Sequence, residues 1–135
     1  MKKITEKNTK PKVLFVDDEQ DLGDLVETLL GEEGYEVILA RNGLEGVKKN
    51  EKYDPGLIIM DLKMPKMNGI QALRNIRKSD KDVVAIILTG YASAQTAKEA
   101  EGLDVYEYLC KPFDIKVLKK TVKEGLSAGR KRRKA

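Results

Sequence analysis

Five short apolar runs punctuate the chain: Val13–Val16, Tyr35–Leu39, Leu57–Met60, Val83–Leu88 and Val105–Leu109. Each has strand length and is bounded by polar or turn-forming residues. Between them the apolar spacing changes. Leu22, Leu25, Val26, Leu29 and Leu30 stand at i, i+3, i+4, i+7 and i+8, which predicts a helix over residues 18–33 with those side chains inward. Gly34 closes it. Leu44 and Val47, after Asn42-Gly43, mark a short second helix. Ile70, Leu73 and Ile76, after Asn68-Gly69, mark a third. Ser93 to Glu101 is alanine-rich and polar, a weak helix with little apolar grip. Asp114 is placed to cap a last helix with Ile115, Leu118, Val122 and Leu126 inward.

Short, continuously apolar strands alternating with amphipathic helices imply a parallel sheet covered on both faces. The fold class is therefore α/β, a doubly wound five-stranded parallel sheet with five helices. No repeat or second domain is evident. Domain bounds are expected at 1–11 for a basic N-terminal extension, 12–127 for the domain, and 128–135 for a basic tail.

The 135 residues suit one domain, and 41% hydrophobic content predicts folding rather than disorder. The net charge of +4 hides an asymmetry. Residues 1–12 hold five lysines against one glutamate, and residues 129–135 hold five basic residues. The body between them carries sixteen basic and twenty-one acidic residues. The stretch "GRKRRKA" reads first as a solvated tail, and second as a contact for nucleic acid or an acidic partner. No aromatic residue interleaves with these charges, so base stacking has no support. The chain has one cysteine, Cys110, no apolar leader and no run long enough to cross a bilayer. A cytoplasmic location without membrane contact is the expectation. Histidine is absent, which excludes Ser-His-Asp and Cys-His chemistry and histidine-ligated zinc. Any metal must be held mainly by oxygen, which favours magnesium.

In an open parallel sheet, ligands bind outside the carboxyl ends of the strands. Asp17 and Asp18 follow the first strand, Asp61 the third, Thr89 the fourth, and Lys111-Pro112 the fifth. Each has an ordinary explanation alone, as a helix-turn charge, a loop or a turn. Together they place three acids, a hydroxyl and an amine on one rim. Crowded carboxylates repel, and a hard divalent cation relieves that repulsion. One carboxylate left free can attack phosphorus to form an acyl phosphate. Metal, amine, hydroxyl and backbone N–H groups would offset the developing charge.

The stretches "VDDE" (16–19), "MDLKMPKMNG" (60–69), "LTG" (88–90) and "YLCKPFD" (108–114) resemble the receiver domain of two-component response regulators, the chemotaxis regulator's family. The likeness covers roughly residues 11–127. It implies a flavodoxin-like sheet of order 2-1-3-4-5. It further implies Asp61 as phosphoacceptor, and magnesium on Asp18, Asp61 and the main-chain carbonyl of Lys63, with Asp17 acting mostly through water. Lys111 would pair with the phosphoryl group and Thr89 would donate to it. Tyr108 would be the aromatic that follows Thr89 in switching, and the Lys111–Pro112 peptide would be cis. By family position, Lys63 and Tyr91 would tune dephosphorylation and make the acyl phosphate long-lived. The chain departs from the family at Pro55-Gly56, where Pro-Asp is common, and at Asp104, where glycine is common.

The resemblance implies a phosphoacceptor rather than an enzyme acting on other molecules. With no histidine, the donor must act in trans: a sensor kinase, a phosphotransfer protein or a small phosphodonor. The output would be a downstream protein partner or a domain outside this chain, with no specific nucleic acid. Three rivals carry weaker signals. A haloacid-dehalogenase-type phosphatase wants Asp-x-Asp after the first strand, but Glu19 stands third here. A nucleotide or flavin fold wants a glycine-rich loop there. A receiver-like module signalling without phosphate shares every element.

Overall fold

The computed structural model describes residues 10–134 apart from Lys66, Tyr91 and Ala92, with the course of the chain alone at 130–134. Most of the N-terminal extension, and Tyr91, therefore lie outside the described residues. Strands β1 (Lys12–Val16), β2 (Glu36–Ala40), β3 (Leu57–Asp61), β4 (Val84–Thr89) and β5 (Val105–Cys110) alternate with five helices. These are α1 (Gln20–Glu32), α2 (Gly43–Tyr53), α3 (Gly69–Arg77), α4 (Ala94–Glu99) and α5 (Ile115–Lys134). All strand pairs are parallel, in the order β2-β1-β3-β4-β5.

β3 and β4 are buried along their whole length, which explains why these runs do not alternate with polar residues. Successive side chains feed two cores. Leu14, Val16, Ile58, Met60, Ala85 and Ile87 face one layer with Leu73 and Ile76 of α3. Val13, Phe15, Leu57, Ile59, Ile86 and Leu88 face the other with Val26, Leu30, Leu118 and Val122 of α1 and α5. Caps fix the helix starts. Asn42 accepts from the Glu45 N–H, and Asn68 forms a reciprocal capping box with Gln71. Asp114 Oδ1 accepts from the N–H groups of Lys116 and Val117, at 2.8 and 3.1 Å.

Several apolar positions of the helical pattern do not face inward, among them Leu25 and Ile115, which the sequence places inward. Leu25, Leu44 and Ile115 are each more than 40% exposed. At α2 the buried positions are Gly43, Gly46 and Asn50 instead, because Val16 packs 3.0 Å from where a Gly46 Cβ would stand. The last helix does not stop at residue 127 but continues to Lys134. Gly125 and Gly129 are both buried, and a Cβ at either would stand within 3 Å of Leu57 or Val84. Their lack of side chains brings α5 against β3 and β4 on both sides of Leu126, the last large apolar residue.

Gly69 sets the position of the third strand's exit. Its N–H donates to the Leu62 carbonyl at 3.0 Å, and a Cβ there would lie 2.3 Å from the Asp61 carbonyl oxygen. Backbone, not a flexible side chain, blocks it. Gly69→Ala is expected to cost about 1–3 kcal/mol in denaturant unfolding, the scale of overpacking. An unchanged midpoint would show that the loop from Leu62 to Asn68 gives way freely.

Candidate functional site

The carboxyl ends of β1, β3, β4 and β5 converge as the spacing of the sequence predicts. Asp17 is fixed by its N–H donating to the Ala40 carbonyl at 3.0 Å, and the Lys111 N–H donates to the Thr89 carbonyl at 2.8 Å. Asp17, Asp18 and Asp61 each offer a carboxylate oxygen, and these oxygens lie within 4.8 Å of one another. Asp17 and Asp61 are buried, and Asp18 is exposed. The Lys111–Pro112 peptide is cis.

Lys111 Nζ reaches all the carboxylates that line its side of the rim except Asp18. It stands 2.8 Å from Asp17 Oδ2, 3.2 Å from Glu19 Oε1 and 3.3 Å from Asp61 Oδ2. The Asp17 contact is an ion pair outside hydrogen-bond geometry, so Asp17 Oδ2 is buried without an aligned donor. Such an oxygen keeps a lone pair for a cation. The donor set, three carboxylates and no nitrogen or sulfur, suits a hard divalent ion.

Burial, followed by repulsion from Asp17, pushes the Asp61 carboxyl above its ordinary value. Lys111 and the Lys63 N–H, which donates to it, offset part of that rise. Burial alone would lower the Lys111 ammonium, but Asp17, Asp61 and Glu19 outweigh it and hold the amine well above its usual range. Lys111 is thus a fixed positive charge at any physiological pH. Partial burial also raises the Tyr108 phenol.

Thr89 is buried at the end of β4. Tyr108, half-buried on β5, packs on the core layer that contains Ile87, its register partner. Two residues along β4 from Ile87 brings Thr89 to the same face, so Thr89 and Tyr108 are diagonal neighbours. This depends on a register shift between Ala85 and Ile86: Val105 pairs with Ala85 and Glu107 with Ile86, which leaves Tyr106 as the extra residue. The bulge turns Tyr108 onto the Thr89 face.

An open cleft beside the acids is lined by Asp18, Lys63, Met64, Asn68, Thr89 and Thr96. Thr96 belongs to α4, so that helix borders the site directly. Lys63 is exposed. Glu19, absent from the sequence-derived site set, pairs with Lys111, and its N–H donates to Asp17 Oδ1 at 2.9 Å. Its place third in the run of acids after β1 was the available signal. Arg77 was also missed. It is 8% exposed, and its guanidinium donates to the carbonyls of Leu103, Asp80, Val83 and Asp104. It clasps the turn into β5, where Asp104 takes a left-handed φ of 56°. That is the conformation for which a glycine would otherwise be favoured.

The model of the response regulator receiver domain matches residues 13–123. The chain is 33% identical over 115 residues to the sporulation initiation phosphotransferase F of Bacillus subtilis, covering 85% of this chain and 93% of that protein. It is also 33% identical to the regulatory protein AtoC of Escherichia coli, of which it spans 25%. A solved CheY-like receiver domain protein from Methanospirillum hungatei superposes with a TM-score of 0.88 at 31% identity, covering 92% of this chain and 99% of that one. The sequence motifs, the strand order and these matches agree: the chain belongs to the response regulator receiver domain family of two-component signalling.

Proposed function

We propose that this receiver accepts a phosphoryl group on Asp61 from a phosphohistidine of a sensor kinase or phosphotransfer protein, with Mg2+ bound, and thereby changes its surface toward a partner or output. The observation that carries this reading is the buried Asp61 carboxylate at the β3 exit. It lies 3.3 Å from Lys111 Nζ, clusters with two further carboxylates and adjoins an open cleft.

In the proposed step an Asp61 oxygen attacks phosphorus, the new O–P bond forms, and the P–N bond to the donor breaks, its electron pair returning to the histidine nitrogen. Lys111 and the Thr89 hydroxyl face the transferred oxygens and offset their charge. Asp17, Asp18, Asp61 and the Lys63 carbonyl would hold the metal, which supplies charge neutralisation for the phosphoryl oxygens. Thr89 and Tyr108 act as the switch pair. Residues 12–127 carry the chemistry, in a cytoplasmic setting. Among the described residues, no helix is long and apolar enough to cross a membrane. Phosphate incorporation from a small phosphodonor, with and without a chelator, tests the reading.

The switch has a physical route. None of the six residues of α4 is buried, whereas Ala100 and Leu103 just beyond it are. Arg74 donates to the Glu99 carbonyl at 3.2 Å, and Arg77 holds Leu103 and Asp104. The helix is pinned at its carboxyl end and lightly held elsewhere. Amide exchange in α4 is expected to run at least about tenfold faster than in α1, whose Val26 and Leu30 are fully buried. Equal protection would remove α4 as the moving element.

A further inference from the structure

The α5 helix carries a continuous basic stripe that the phosphotransfer reading leaves unused. At 100° per residue, positions 116, 119, 120, 123, 127, 130, 131 and 134 fall within about a third of the helix circumference. Lys116, Lys119, Lys120 and Lys123 occupy the first four, and Arg130, Lys131 and Lys134 the last three. Ser127 alone interrupts them. The buried positions Leu118, Val122, Gly125 and Gly129 lie on the opposite side. From 116 to 134 the stripe runs about 27 Å at 1.5 Å per residue. Lys116, Lys120 and Lys123 are exposed, while Lys119 is engaged by Glu33 at 3.5 Å.

We infer that this face of α5 is a contact surface for the phosphate backbone of duplex nucleic acid, without sequence readout. A straight row of cations of this length matches about eight base steps at 3.4 Å. No aromatic residue lies among the charges, so bases of a single strand have nothing to stack on. Past Leu126 the helix has no large apolar residue. That end of the helix therefore offers neither the anchors that carry most protein–protein affinity nor an apolar face to enter a bilayer. Arg130, on the stripe, is the residue type that suits phosphate, since a planar guanidinium binds it in two places. The acidic body keeps the rest of the surface from following.

The test is fluorescence anisotropy of the full chain with a labelled random-sequence duplex over a salt series. Binding with Kd of about 10⁻⁶–10⁻⁴ M is expected, falling steeply with salt. Combining Lys116→Gln, Lys120→Gln and Lys123→Gln should lower the steepness of log K against log salt by about 2.7, three contacts at 0.9 each. Arg130→Gln, Lys131→Gln and Lys134→Gln together should do the same. Both triple variants should keep wild-type helicity by circular dichroism and wild-type phosphate incorporation, which separates this surface from the phosphotransfer site. An unchanged salt slope in the first variant overturns the inference, because binding would then come from the chain ends alone. So would equal affinity for polyglutamate, or binding to phosphatidylserine vesicles without binding to the duplex.

Discussion

Asp61→Asn should leave a folded protein that incorporates no detectable phosphate, a loss on the order of 10³-fold or more, the scale for removing a nucleophile. The amide keeps the size and shape of the side chain but lacks the charged oxygen that would attack phosphorus. Asp17 cannot substitute, since its side chain is wholly buried where that of Asp61 keeps 7% exposure, and its Oδ1 is taken by the Glu19 N–H. Asp18 is exposed, on a different strand exit. The fold should not suffer. Burial and Asp17 raise the Asp61 carboxyl in the folded state, so the folded protein binds that proton more readily than the unfolded chain. Wild-type stability then rises as pH falls from the folded value toward the unfolded one, and the charge is a burden above both. In chelator at pH 7 the variant should melt no lower than wild type, and any advantage should shrink as the pH drops into the carboxylate range. Undiminished acid-labile label in the variant would remove Asp61 from its role. A lower melting point would mean that Lys111 pairing outweighs the burial of the charge.

Magnesium removal should be nearly as severe. In chelator, or in Asp18→Ala, labelling from a small phosphodonor should slow by at least about a hundredfold, since even residues that only support a metal ligand change affinity by 10–100-fold. Without a cation, three carboxylates whose oxygens lie within 4.8 Å repel an incoming phosphoryl group, and Lys111 alone must balance them. Asp18 is exposed, and its loss relieves like-charge repulsion. The variant should therefore fold normally and bind metal weakly. Normal labelling in chelator would contradict the metal's part in the reaction.

The alternation of strands and helices and the rim were legible because each rests on a strong local signal, whereas the spatial order 2-1-3-4-5 came only from the family resemblance. A buried parallel strand must be a continuous apolar run, and whatever follows it must lie at the carboxyl edge. Asp17, Asp61, Thr89 and Lys111 could be placed from that alone. The misses have physical causes. Leu25, Leu44 and Ile115 fit a helical apolar period, but the period does not say how wide the covered face is. Gly46 lies against Val16 because it is small, a property hydropathy does not register. The bulge at Tyr106 inserts one residue into a strand, and no turn residue announces it. Arg77 reads as a surface charge at a helix end until the four carbonyls it bonds are assembled from distant segments. The helix beyond Leu126 looked like a tail because its apolar residues end there. Its basic residues are nevertheless good helix formers, and cations are favoured near a helix carboxyl end.

The account rests most directly on where the phosphoryl group resides. Wild-type protein treated with a small phosphodonor and Mg2+, reduced with borohydride and mapped by peptide mass spectrometry, should show one modified residue, Asp61 converted to homoserine. Modification at another residue, or none under conditions where the protein is folded and magnesium is bound, would contradict it.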